Sequence, residues 1–241
     1  MKLKRTALVS SSIIDTSTLI LYKENLSLLE KLNFENDKTF SEPLLFAYFK
    51  TKNNKSFSKE VLEELMQGYF TEKEPLKINH SFGKESLAYL PELGYFNKLG
   101  QKVQECHIIK NTQIELLYRP FELLNSVFEL ASSDSTSNEI EMSSSLFEKF
   151  VPNIEKALKL IKENCTEHFN LIEKHCKRII LFKTNPKNTN SFATINAHGM
   201  AFLNAYQEDY DEVFFIDDIA HQTGHIIMTA ILFERKKYFL I

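Results

Sequence analysis

The sequence predicts an α+β protein that is mainly helical, and three observations lead to this prediction. Glycine and proline are scarce, at six each in 241 residues, which favours long helices. Apolar residues recur at helical spacing in segments of both halves of the chain. A short apolar run at residues 178–183 is partly β-branched and indicates a strand. We therefore expect helices with a small antiparallel sheet or hairpin beside a helix that carries a His-x-x-x-His pair.

The N-terminal half is predicted to be mainly helical. Residues 59–70 place apolar side chains on one face and glutamates on the other, with Ser58 as a candidate N-cap. Similar periodicity predicts helices at residues 16–32, 43–49 and 113–130, the last of which is interrupted by Pro120.

The C-terminal half changes its pattern along the chain. A long helix is predicted at residues 147–175, then the strand at 178–183 and a turn-rich loop. Two extended pieces, 191–196 and 200–203, flank Ala197-His198-Gly199 and form either a hairpin or two consecutive extended segments. The chain returns to helix at about 211–235.

The composition suggests a division into two regions. Residues 131–145 are rich in serine and are the best candidate for a linker or loop. They would separate a helical N-terminal region, residues 1–130, from a helix-strand-strand-helix metal-binding region, residues 146–241.

Charge and cysteine content exclude several classes of function. The chain carries 29 basic and 32 acidic residues, for a net charge of −3, so it has no general basic field for nucleic acid. Its three cysteines are an odd number without close pairing, which speaks against a disulfide framework and favours reduced thiols in the cytoplasm. No stretch approaches the 18 to 20 apolar residues of a membrane span.

The motif that indicates chemistry lies in the last predicted helix, Asp218-Ile-Ala-His221-Gln-Thr-Gly-His225. A spacing of four residues places both imidazoles on one helix face, where they can bind one divalent metal ion. Asp218 shares that face, and two histidines with one carboxylate form the ligand set of many non-haem iron oxygenases.

Other interpretations of this motif stay open at the level of sequence. With seven histidines, chance alone gives this spacing roughly 0.2 times, so the spacing by itself is weak evidence. His221 and His225 could instead be hydrogen-bonded histidines of the core or of an interface. Asp218 could orient a histidine or favour the N-terminal end of the helix. Gly224 costs about 1 kcal/mol in a helix relative to alanine, which requires a reason of packing or access.

The residue after the first histidine helps to distinguish zinc-dependent hydrolysis from oxygenase chemistry. In zinc hydrolases of the His-x-x-x-His type, a glutamate at this position takes a proton from the metal-bound water. Here the position holds Gln222, whose amide does not accept a proton near neutral pH. Peptide hydrolysis on zinc is therefore disfavoured, whereas an oxygenase needs no such base.

Residues 190–204 (NSFATINAHGMAFLN), followed by the Asp218–His225 motif, resemble the core of the HExxH-motif peptide-modification proteins. The resemblance covers about the last quarter of the chain. It implies a zincin-like arrangement and an iron(II)- and 2-oxoglutarate-dependent enzyme that hydroxylates a β-carbon of a ribosomal precursor peptide. His221 and His225 would be the iron ligands, with Asp218 as a candidate third ligand.

The sequence also departs from the family. Gln222 replaces the family's Glu, and His198 stands where the family often has Pro, which could place a further imidazole near the metal. The family continues beyond its metal helix, whereas this sequence ends at Ile241, so a second subunit could supply the rest of the site. Arg235 is a candidate partner for the carboxylate of 2-oxoglutarate. The alternative function is a non-catalytic peptide-binding or partner subunit whose metal site is degenerate or incomplete.

Overall fold

The computed structural model describes residues 17–23, 25–33, 36–51, 58–72, 74–79, 86–131 and 140–239, with backbone only at 51 and 233–239. Within these ranges the fold is α+β and mainly helical, as the sequence predicts, and it includes a small antiparallel three-stranded sheet. No helix in the described part of the chain is both long enough and apolar enough to cross a membrane.

The chain divides into two compact units. One contains residues 1–106, 121–126 and 228–241, and the other contains residues 107–120 and 127–227. Of the linker predicted at 131–145, residues 132–139 lie outside the described residues, so that linker stays a prediction.

The helices of the first unit are short and mostly capped by side chains. Residues 17–23 are helical. They are followed by α1 (Leu26–Leu29), α2 (Asp37–Phe40), α3 (Pro43–Thr51) and α4 (Lys59–Met66), which continues into a 3₁₀ turn at Gln67–Tyr69. The Asn25 and Asn36 side chains accept backbone N–H groups of the first turns of α1 and α2. Helix α4 begins directly after Ser58, as predicted, although the Ser58 hydroxyl makes no capping hydrogen bond.

The first unit also contains the antiparallel sheet, which the sequence did not indicate. Strands β1 (Leu87–Leu90), β2 (Gly94–Asn97) and β3 (Lys102–Gln104) follow one another in the order β1-β2-β3. Strands of three or four residues are too short to show a clear alternation of apolar and polar residues. The prediction of a helical region at 1–130 is therefore incomplete, because this region contains a small sheet as well as helices.

The second unit is built on a mixed four-stranded sheet. Its strands are β4 (Glu115–Leu117), β5 (Arg178–Phe182), β6 (Phe192–Ala193) and β7 (Met200–Asn204), in the order β4-β5-β7-β6. Strand β5 pairs in parallel with β4 and with β7, and β6 pairs with β7 in the antiparallel sense. The strand predicted at 178–183 is present as β5, and of the two alternatives for the pieces around His198 the structure has the hairpin, formed by β6 and β7.

Two predicted helices have different bounds in the structure. The helix predicted at 113–130 is wrong in its first part, because Glu115–Leu117 is a buried strand that pairs with β5. Helix α5 (Glu122–Ala131) begins only after Pro120. The helix predicted at 147–175 is two helices, α6 (Ser144–Asn164) and α7 (Thr166–His175), because the backbone at Cys165 leaves the helical conformation, with φ −147° and ψ 72°.

The core of the second unit lies where the helices cover the sheet. All five side chains of β5 and all five of β7 are buried, as expected for central strands of a sheet that is covered on both faces. Against them pack Phe150, Ile154 and Leu158 of α6 and Phe169 and Ile172 of α7. The last helix, α8 (Glu212–Phe239), adds Phe215, Ile219 and Ile226 to this core, and that contact fixes which of its faces is exposed.

Candidate metal site on the C-terminal helix

The helix that carries the histidine pair has a well-defined start and a well-defined buried face. The Asp211 carboxylate accepts the backbone N–H groups of Val213 and Phe214, at 3.0 and 3.1 Å, and so caps the first turn. Ile219 and Ile226 pack into the core of the second unit. Gln222 and Thr223 are buried on the same face, whereas His221 and His225 lie on the exposed face of the helix.

His221 and His225 are both exposed and their rings converge. Their Nε2 atoms are 2.9 Å apart, and the ring centroids are 4.7 Å apart at an interplanar angle of 64°. At a metal–nitrogen distance of about 2.1 Å, two nitrogens at right angles on one ion are about 3.0 Å apart, and at the tetrahedral angle about 3.4 Å. The pair therefore already has close to the spacing that a bound divalent ion requires.

The same distance also fits a hydrogen bond between two neutral imidazoles, one of which donates its Nε2–H to the other. A metal ion would replace that proton. The interpretation of these residues as core histidines is excluded, because both side chains are exposed.

Asp218 occupies a different environment from the imidazoles. Its side chain is buried, and its Oδ1 accepts a hydrogen bond of 3.1 Å from Nε2 of the Gln222 amide. Its Oδ2 is buried without a hydrogen bond of normal length. Burial raises the pKa of the Asp218 carboxyl, while Ser191, Gln222 and His221 act in the opposite direction.

A complete ligand set is not assembled around the pair. Among the described residues, no group of three or more histidine, cysteine, aspartate or glutamate side chains is placed to hold a metal ion. The structure brings His221 and His225 together, and Asp218 as a third ligand stays a prediction. The Arg235 side chain lies outside the described residues, so its proposed contact with a keto acid also stays a prediction.

His198 does not join the candidate site. It lies in the turn before the first residue of β7, where burial lowers its pKa to about 4, and it interacts electrostatically with His175. Ser191, which interacts with Asp218, instead accepts the backbone N–H of Asn204 at the far end of β7. The four residue steps from Met200 to Asn204 span about 13 Å of strand. His198 and Ser191 therefore lie at opposite ends of β7, and His198 is at the end away from Asp218.

Sequence reasoning missed the residue that organises the loop beside the site. Asn204 is buried at the end of β7, and its amide bonds to the backbone N–H and C=O of Thr184 and to the C=O of Thr189. These bonds, of 2.9 to 3.1 Å, fix the loop between β5 and β6. No local signal could have identified Asn204, because its partners are 15 and 20 residues away in sequence.

Comparison with known proteins identifies no family for this chain, because no protein-family model matches it and no curated protein matches it in sequence.

Proposed function

We propose that this protein binds a divalent metal ion through His221 and His225 and that it is an iron(II)- and 2-oxoglutarate-dependent peptide β-hydroxylase. The observation that supports the proposal is the distance of 2.9 Å between two exposed Nε2 atoms on one helix face. The oxygenase class, the peptide substrate and the co-substrate come from the resemblance of residues 190–225 to the peptide-modification family.

The described residues provide two of the ligands that such an iron centre needs. Two neutral imidazoles are suitable ligands for iron(II), and their exposure leaves the other coordination positions accessible. With iron bound, dioxygen would place one oxygen atom in a substrate C–H bond and the other in succinate, as 2-oxoglutarate loses CO₂. Asp218 would serve as a ligand only after it turned away from Gln222, which now donates to it.

A second candidate function is a non-catalytic partner subunit that binds the peptide. The observation that favours it is the Gln222 side chain, which stands at the family's Glu position and is buried in a hydrogen bond with Asp218. That side chain is thus turned to the interior, away from the exposed face where an ion would bind.

Metal binding and turnover separate the two functions. Purified protein is stripped with chelator, loaded anaerobically with iron(II), and its metal content is measured for the parent chain and for His221→Ala, His225→Ala and the control His168→Ala. We expect bound iron in the parent and the control, and its loss in both site variants. Succinate formation from 2-oxoglutarate in the presence of a candidate precursor peptide then tests the hydroxylase.

A loaded protein that forms no succinate with any precursor peptide would favour the partner subunit. A parent chain that holds no more metal than the two site variants would overturn the metal site itself.

A further inference from the structure

The contact between the two imidazoles requires that they carry their hydrogens differently. The Nε2 atoms of His221 and His225 are 2.9 Å apart, so one of them bears a hydrogen and donates it while the other is bare and accepts. A neutral ring whose Nε2 is bare carries its hydrogen on Nδ1. The hydrogen bond that Nδ1 makes decides which of the two rings this is.

Asp218 lies near His221 and far from His225 on α8. It precedes His221 by three residues, and residues three apart are neighbours on a helix surface. Helical side chains lean towards the N-terminus, so the side chain of His221 leans towards the turn that carries Asp218. His221 also favours the charged form of the Asp218 carboxyl. His225 is seven residues from Asp218, which is about 10 Å along the helix axis.

One oxygen of the Asp218 carboxylate has a donor and the other lacks one among the described residues. Oδ1 accepts a hydrogen bond of 3.1 Å from Gln222, while Oδ2 is buried without a hydrogen bond of normal length. A buried acceptor without a donor costs free energy, so a donor is expected at Oδ2. The nearby Ser191 hydroxyl does not exclude a second donor, because a carboxylate oxygen has two lone pairs.

We propose that Asp218 is a positioning residue, whose Oδ2 accepts the Nδ1–H of His221 and thereby makes His225 the donor between the two rings. His221 then presents a bare Nε2, the form that binds a metal ion, before any ion arrives. On metal binding only His225 has to change, because its hydrogen moves through water from Nε2 to Nδ1. In this role Asp218 is not a ligand, and the remaining positions of the ion stay open.

The role in metal binding rests on the function proposed above, whereas the arrangement of hydrogens does not. The metal-free full chain, labelled with ¹⁵N-histidine, is therefore studied by two-bond ¹H–¹⁵N correlation spectra at about pH 8, where ordinary histidines are neutral. The His221→Gln and His225→Gln variants assign the two rings. We expect the hydrogen of His221 on Nδ1 and that of His225 on Nε2.

Asp218→Asn is the decisive variant, because it nearly preserves the shape of the side chain. Gln222 still donates to the remaining oxygen, so the new NH₂ group stands where Oδ2 stood and donates to Nδ1 of His221. We expect the hydrogen of His221 to move to Nε2. Asp217→Ala is the matched control, since Asp217 is exposed and lies four residues before His221, and it should leave both rings as in the parent.

Titration of chelator-stripped protein with zinc(II) then measures the consequence for binding. We expect affinity to fall by about 10–100-fold in Asp218→Asn and to stay unchanged in Asp217→Ala. A hydrogen on Nε2 of His221 in the metal-free parent would overturn the positioning role and leave the proposed metal binding intact. Unchanged tautomers in Asp218→Asn would overturn it as well. A parent with the expected tautomers that binds no metal would overturn the proposed function and leave the role of Asp218 in arranging the hydrogens.

Discussion

Arg178 and Glu115 form an ion pair within the parallel sheet, in which the Arg178 Nε donates to the Glu115 Oε2 at 2.9 Å. The two residues are register partners on β5 and β4, and their side chains are only 4% and 7% exposed. Pairing in register places the opposite charges side by side, and burial removes the water that would otherwise solvate them.

We expect Glu115→Ala to lower the free energy of unfolding by about 3–5 kcal/mol, because it leaves a buried guanidinium without its carboxylate. Glu105→Ala is the control, since the pair of Glu105 with Lys102 is exposed and its loss should cost less than about 1 kcal/mol. Urea unfolding of both variants checks this. Equal losses in the two variants would contradict the prediction.

The bond between Gln222 and Asp218 leads to a prediction about the family's glutamate. Gln222→Glu would place two carboxylates against each other at a site where both side chains are buried. We expect it to destabilise the fold by about 1–3 kcal/mol at pH 7.5. The swapped double variant Asp218→Asn with Gln222→Glu restores one amide and one carboxylate, and should recover most of that loss in the same unfolding measurement.

Two glycines of the first unit differ in what surrounds them. Gly94 has φ +98°, and a Cβ there would lie 2.3 Å from the backbone oxygen of Gln104, whereas Gly100 has φ +71° and open space around it. Positive φ costs a non-glycine residue about 1–2 kcal/mol at either position. Gly94→Ala should therefore lower the thermal midpoint clearly more than Gly100→Ala, and a larger loss at Gly100 would contradict the clash as its cause.

Two half-buried histidines, His175 and His198, predict a loss of stability in acid. Burial lowers the pKa of His175 to about 4, with Lys174, His198 and Lys177 acting in the same direction, and burial also lowers the pKa of His198 to about 4. In the unfolded chain both titrate near about 6.5, so between these values the unfolded chain binds more protons. Stability therefore falls as the pH drops from about 6.5 to about 4.

We expect the two groups together to account for roughly 1–3 kcal/mol of that loss, since partial exposure reduces the effect of each shift. The measurement is urea unfolding at pH 7.5 and pH 4.5. The double variant His175→Gln with His198→Gln should show a smaller difference between the two pH values than the parent. An unchanged difference would contradict the assignment.

The sequence predicted those elements whose pattern is local. Ser58 precedes a helix, residues 178–183 contain a strand, and the pieces on either side of His198 form a hairpin, which was one of the two expected alternatives. It also placed His221 and His225 on one face, because the spacing of four residues and the helical periodicity are both read directly from the chain.

Only the tertiary structure decided which partners these elements meet. Glu115–Leu117 becomes a strand because β5 is available to pair with it, and a segment of three residues carries no information about a partner 63 positions away. The core fixes which face of α8 is exposed, and this leaves the imidazoles outside while Asp218 turns inward to Gln222. Short-range periodicity follows from backbone geometry, whereas burial and long-range pairing depend on the whole packed chain.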